Sequence, residues 1–216
     1  MIAAVIFDLD GVLIDSEQVW DEVRERLARE RGGRWTERSQ RDMMGMSAPE
    51  WSRYMHDVVE LPESPEEINR EVVSRLLARY AGSPPWLPGA LDAVRRLAGR
   101  WPLGLASSSN REVIEAVLEA GGIAGCFRAT VSSEEVPRGK PAPDVYLEAA
   151  RRLGVEPAAC AAIEDSHNGI RSAKAAGMRC IAIPNAHFPP GEATAEADVV
   201  VGSVAELGPD VVDPHR

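Results

Sequence analysis

Six short apolar runs, at residues 3–7, 103–106, 129–131, 159–163, 179–183 and 198–201, are separated by stretches with helical periodicity. Val113, Ile114, Val117 and Leu118 repeat at helical spacing within 110–120, a stretch closed by Gly121-Gly122; residues 89–97 and 144–153 behave similarly. Short runs alternating with amphipathic helices form right-handed crossover units. The expected fold class is therefore α/β, with a Rossmann-like, mainly parallel sheet. Residues 16–84 interrupt this rhythm. They hold no convincing strand, while Trp20, Val23 and Leu27 share one helical face and Val72, Val73, Leu76, Leu77 and Tyr80 share another. This predicts an α/β core over 1–15 and 85–216 with an inserted all-helical cap over 16–84 that closes at Pro84-Pro85. Residues 209–216 are expected to form a poorly ordered tail.

Ligands of an open parallel sheet bind beyond the carboxyl ends of its strands, so the residues after each run carry the chemical information. Asp8 and Asp10 follow the first run, with Gly11 next; Ser107, Ser108, Ser109 and Asn110 follow the second. Lys140-Pro141 stands on the loop after the third, and Glu164, Asp165 and Ser166 end the fourth. Carboxylates crowded on one rim repel unless a cation lies among them. An all-oxygen ligand set favours Mg²⁺ over zinc. Hydroxyls and backbone N–H groups at a helix N-terminus make an anion site, and Lys140 adds a compact cation. That lysine is informative because the chain otherwise uses arginine: of 24 basic residues only Lys140 and Lys174 are lysines. These parts suit phosphoryl transfer, with one carboxylate as nucleophile and a second as proton carrier.

Composition narrows the partners. A net charge of −10 argues against nucleic acid and anionic membrane surfaces. The apolar runs are too short to span a bilayer, and the first one stops at Asp8 with no basic residue before it, so no signal peptide is expected. Cys126, Cys160 and Cys180 are few and lack metal spacing, and are expected to be reduced, buried thiols of a cytoplasmic protein. Lys174 reads as a surface or ion-pair residue, and His167 as a solvated loop histidine or a substrate contact. The expected partner is a small phosphorylated metabolite, bound by a monomer or small homo-oligomer.

The segments FDLDGVLIDSE, LASSSN, GKPAPDVY and IEDSHNGIRSAKAAGM resemble, in order, the four motifs of the haloacid dehalogenase superfamily. The helical insertion stands where the subgroup that includes β-phosphoglucomutase and phosphoglycolate phosphatase places its cap. The resemblance implies a role for each matching residue. Asp8 would be the nucleophile, and Asp10 the general acid/base whose backbone carbonyl also faces the metal. Ser107 and Lys140 would clamp the phosphate, with Ser108 and Asn110 of the same stretch as further substrate-binding residues. Asp165, supported by Glu164, would complete a Mg²⁺ site with Asp8 and Asp10.

Within that superfamily, Asp10 argues for phosphoryl transfer over dehalogenation, and the absence of lysine from 16–84 excludes a cap Schiff base. β-Phosphoglucomutases carry a histidine where Trp20 aligns, and an arginine after a Gly-x-Ser segment of the cap. Here that segment reads Gly45-Met46-Ser47-Ala48-Pro49, with no arginine. Hydrolysis of a small phosphomonoester, such as a sugar phosphate, through an aspartyl-phosphate is the expected activity. The alternative is a β-phosphoglucomutase-type mutase with Arg53, Arg75 or His56 compensating. Trp20, Trp51 and Trp86 are expected to be packing residues. A non-enzymatic phospho-accepting signalling module would need its acceptor after the third strand, where Ser132-Ser133-Glu134 stands.

Overall fold

The computed structural model describes residues 1–43, 46–185 and 191–214. Six parallel strands form one sheet in the order β3-β2-β1-β4-β5-β6. They are β1 (Ala4–Phe7), β2 (Leu103–Ser107), β3 (Phe127–Ser132), β4 (Cys160–Glu164), β5 (Arg179–Ala182) and β6 (Val199–Val200). All six expected strands are present, with ends shifted by one or two residues. Two shifts matter: Ser107 and Glu164 are the last residues of their strands, held by the ladder itself.

Alternation along β1 sends its side chains to opposite faces. Val5 and Phe7 join Leu103, Leu105 and Ile163 on one face, covered by α5 (Ala90–Ala98) and α6 (Arg111–Ala120). Ala4 and Ile6 join Ala106, Val131 and Ala162 on the other, beneath α7 (Asp144–Leu153) and α8 (His167–Ala175). With both faces covered, β1 is apolar throughout and Asp8 is its first permissible charge.

Four helices occupy 16–84, and among the described residues this segment has no strand: α1 (Glu17–Glu30), α2 (Glu37–Met43), α3 (Ala48–Asp57) and α4 (Pro65–Tyr80). Their apolar faces pack together through Trp20, Leu27, Trp51, Met55, Ile68, Val72 and Leu76. Ser47 and Ser64 open α3 and α4 with capping boxes closed by Glu50 and Glu67. Ser47 is thus spent on starting a helix; Gly45 of the same segment lies outside the described residues.

The expected tail is a correction. A short helix, α9 (Pro209–Val212), buries Val212, and the Asp213 carboxylate accepts the Ile2 N–H at 2.9 Å. Two adjacent valines suffice to dock the segment beside β1. Residues 215–216 lie outside the described residues.

Candidate active site

The strand register assembles the site. Phe7 is level with Leu105 on one side and with Ile163 on the other. One residue later, Asp8 and Glu164 therefore emerge on the same sheet edge, at the switch point between β1 and β4 where such sheets bind ligands. Beyond Asp8 the chain turns: Leu13 and Ile14 both donate to the Leu9 carbonyl, and Gly11 adopts φ +73°. The turn aims Asp10 away from the strand axis.

Lys140 enters this edge from the loop after β3. Its Nζ lies 3.0 Å from Asp8 Oδ1 and 2.6 Å from Glu164 Oε1. It also stands 5.1 Å from the centre of the Tyr146 ring, whose hydroxyl donates to the same Glu164 oxygen at 2.7 Å. The other Glu164 oxygen accepts the N–H groups of Asp165 and Ser166 and the Ser166 hydroxyl. Glu164 is wholly buried and encircled by donors. Burial alone would lower the Lys140 pKa, but Asp8 and Glu164 together hold it above the ordinary lysine range.

Asp8, Glu164 and Asp165 each offer an oxygen within 4.8 Å of the others. Burial, above all, pushes the Asp8 carboxyl well up; Lys140 opposes the shift, while Glu164 and Asp10 add to it. Asp165 is raised by burial and then by Glu164, Asp8 and Glu17. Three buried carboxyl groups face one ammonium, and Asp8 Oδ1 lacks a well-aligned hydrogen bond despite its ion pair with Lys140. With all three ionised, two negative charges are uncompensated, and that is the cost the raised pKa values express. An all-oxygen cluster in that condition fits a hard divalent cation.

Asp10 has a different environment. Oδ1 accepts from the Ser16 hydroxyl and, at 3.2 Å, from Trp20 Nε1; Oδ2 accepts from the hydroxyls of Ser109 at 2.6 Å and Ser107 at 3.4 Å. Two of these donors belong to α1 or its N-cap, and two to the end of β2. Asp10 thus stitches the helical segment to the sheet.

The cleft above these groups is lined by Asp8, Asp10, Lys140, Asp165, Ser108 and Ser109 on the sheet side. Trp20, Arg24 and Trp51 are prominent on the helical side. Ser107 is fully buried below it, accepting the Ser109 N–H at 2.9 Å. Asn110 is not brought to this cleft. Its amide donates to Glu134 at 2.7 Å and to Asn69 of α4 at 3.2 Å. Although Asn110 occupies the N-cap of α6, its side chain does not cap; Glu134 accepts the Arg111 N–H instead. Glu134, next to where a signalling module would carry its acceptor, is thus engaged in holding α6.

None of the proposed cap cations lines this cleft. Arg75 pairs with Glu30 and Glu71, His56 Nδ1 faces the carbonyls of Leu61 and Glu63, and Arg53 is exposed. His167 is exposed and Lys174 forms an ion pair with Asp198. Cys160 and Cys180 are buried free thiols, and Cys126 is half-buried. Sequence reasoning missed Arg24, Ser16, Tyr146 and the polar role of Trp20. Spacing held the signal for one of these: Arg24 stands four residues after Trp20, on the buried face of α1.

Among the described residues, no helix is long and apolar enough to cross a membrane. A family model of haloacid dehalogenase-like hydrolases matches residues 2–177. Hexitol phosphatase B of Escherichia coli is 36% identical over 212 residues, covering 95% of this chain and 94% of that protein. Among solved structures, CbbY of Rhodobacter sphaeroides in complex with phosphate superposes with a TM-score of 0.84 at 30% identity, covering 96% of this chain and 97% of that one. β-Phosphoglucomutase of Clostridium difficile gives a TM-score of 0.82 at 25% identity, covering 97% and 95%.

Proposed function

The chain belongs to the haloacid dehalogenase-like hydrolases, and from that premise we propose that it is a Mg²⁺-dependent phosphatase acting on a small sugar phosphate or related phosphomonoester. The observation that carries the reading is Lys140 Nζ, bridging Asp8 Oδ1 and Glu164 Oε1 beside Asp165 at one sheet edge. The similarity to a hexitol phosphatase supports the substrate class.

Asp8, Glu164 and Asp165, with the Asp10 carbonyl, would hold Mg²⁺, which supplies charge neutralisation for the phosphoryl oxygens. Asp8 attacks phosphorus; the Asp8–phosphorus bond forms as the bond to the leaving oxygen breaks. Asp10 gives that oxygen its proton. A water then attacks the aspartyl-phosphate, Asp10 takes its proton, and phosphate leaves with Asp8 restored. Lys140, Ser108 and the N–H groups of the Ser107–Asn110 turn fix the phosphoryl oxygens, and the buried Ser107 supports the turn from below. Residues 16–84 act as a cap that excludes bulk water and selects the leaving group.

A mutase is the second reading. The missing arginine of the cap loop counted against it, yet Arg24 places a guanidinium in the cleft by another route. One assay tests both: phosphate release from a panel of phosphorylated metabolites with Mg²⁺, including β-glucose 1-phosphate with its bisphosphate activator. Release from hexose or hexitol phosphates, absent in Asp8→Asn, is the expected result. Isomerisation without release would overturn the phosphatase reading.

A further inference from the structure

Arg24 is 6% exposed, and among the described residues its side chain has no hydrogen bond and no ion pair. Its guanidinium lies 4.7 Å from the Trp20 ring centre and 4.8 Å from that of Trp51, against both rings, which themselves meet edge to face. It lines the same cleft as Asp8 and Lys140, on the opposite wall. A desolvated cation without hydrogen-bond partners is costly. An apolar side chain would pack against the two indoles at no such cost. The two rings recover part of it through cation–π attraction and restrict the side chain. Five N–H donors are therefore held in a fixed fork, with Nε unpartnered.

What those donors meet follows from the charges nearby. Asp21, Glu17 and Asp10 are the acids in electrostatic reach of Arg24. A second phosphate or a carboxylate placed on Arg24 would bring negative charge against all three. A neutral hydroxyl accepts from the guanidinium and donates to a carboxylate, satisfying both. Glu17, which lines the cleft, is pushed up to about 7 by burial and by Asp10, so near neutral pH it serves as donor or acceptor.

We infer that Arg24, clamped by Trp20 and Trp51, is the specificity-determining residue that reads the hydroxyl groups of an uncharged, polyhydroxylated leaving group. This rests on the phosphatase reading and adds to it a discrimination against phosphorylated acids and bisphosphates.

The test compares kcat/KM for a hexitol phosphate, a phosphorylated hydroxy acid of similar size and an aryl phosphate, which has no hydroxyl for Arg24 to read. The wild type is expected to favour the hexitol phosphate over the phosphorylated acid by about tenfold or more, the range of a hydrogen-bonded substrate hydroxyl. In Arg24→Gln the ratio of hexitol to aryl phosphate kcat/KM is expected to fall about tenfold or more, chiefly through KM. Arg24→Lys, which keeps the charge but loses the fork, is expected to recover only part of that ratio, and replaces the glutamine variant if that one fails to fold. An equal loss on all three substrates would make Arg24 structural and overturn the inference. A wild-type preference for the phosphorylated acid would make the wall an anion site and overturn it equally. Failure of the wild type to release phosphate even from the aryl ester would instead sink the phosphatase reading on which the inference stands.

Discussion

Gly11 presses against Asp165: a β-carbon on Gly11 would lie 1.8 Å from Asp165 Oδ2. Asp165 comes from β4 and Gly11 from the turn after β1, so the fit fixes how two strand ends share one corner. Position 11 also has φ +73°, a conformation that side chains resist. Gly11→Ala is therefore expected to cost about 1 kcal/mol or more of stability from backbone strain. It also displaces a proposed metal ligand. The Mg²⁺ concentration giving half-maximal activity is expected to rise by about tenfold or more. An unchanged magnesium titration, with the fold intact, would show that Asp165 does not serve the metal.

Trp20 Nε1 is one of four donors around the Asp10 carboxylate. Trp20→Phe keeps an aromatic ring against Arg24 and Trp51 and removes the N–H. If the contact orients the proton carrier, kcat falls by about tenfold to a hundredfold, a range set by one hydrogen bond to a charged group, and binding of a phosphate analogue changes little. A variant with unaltered kcat would return Trp20 to packing alone.

Much of this site was legible because strand ends are marked twice, once by the end of an apolar run and once by the acid that follows. Asp8 and Asp165 meet because register carries the ends of β1 and β4 to one edge, and register follows from pattern; Lys140 reaches them from the loop after β3. Arg24 was hidden by its surroundings in sequence. Arg26 and Arg29 stand in the same charged helix and pair with Glu30 and Glu25 at the surface. Its spacing from Trp20 sets Arg24 on the buried face of α1, but only Trp51, which α3 brings against its guanidinium from a distant part of the chain, marks it as a cation held by two rings. Asn110 failed in the opposite sense. Its place at the start of α6 promised a cap or an anion contact, but Glu134, distant in sequence, took the capping role and left the amide to bridge toward α4. The docked tail was missed because α9 is too short for its periodicity to register.

Lys140 and Glu164 form a buried ion pair, and Lys140 is paired with Asp8 as well. Lys140→Met leaves two carboxylates buried beside each other without their ammonium. Breaking such a pair costs about 3–5 kcal/mol. The variant is expected to unfold at a markedly lower temperature and to lose turnover. Glu164→Gln keeps the shape and leaves Lys140 paired with Asp8; a smaller thermal shift, with activity reduced through weaker Mg²⁺ binding, is expected. Equal melting temperatures for Lys140→Met and wild type would remove the pair from the account of stability.

Acidic groups with raised pKa values make the metal-free protein's stability depend on pH. Glu17 rises from 4.5 to about 7 through burial and Asp10, and Asp21 rises from 3.8 to about 6 through burial; burial raises Asp8 and Asp165 as well. In each case the folded state holds its proton more tightly than the unfolded chain. The resulting stability is fully present below the unfolded pKa and is lost as pH rises through the folded one. For Glu17 and Asp21 the loss falls between about pH 4 and pH 7. Melting in a chelator should therefore drop across that window, and Glu17→Gln should flatten part of the drop. Saturating Mg²⁺ should raise the melting temperature more at the upper end of the window than at the lower, because the metal competes with protons for the proposed ligands. A melting temperature that climbs with pH in the chelator would contradict the buried-acid account.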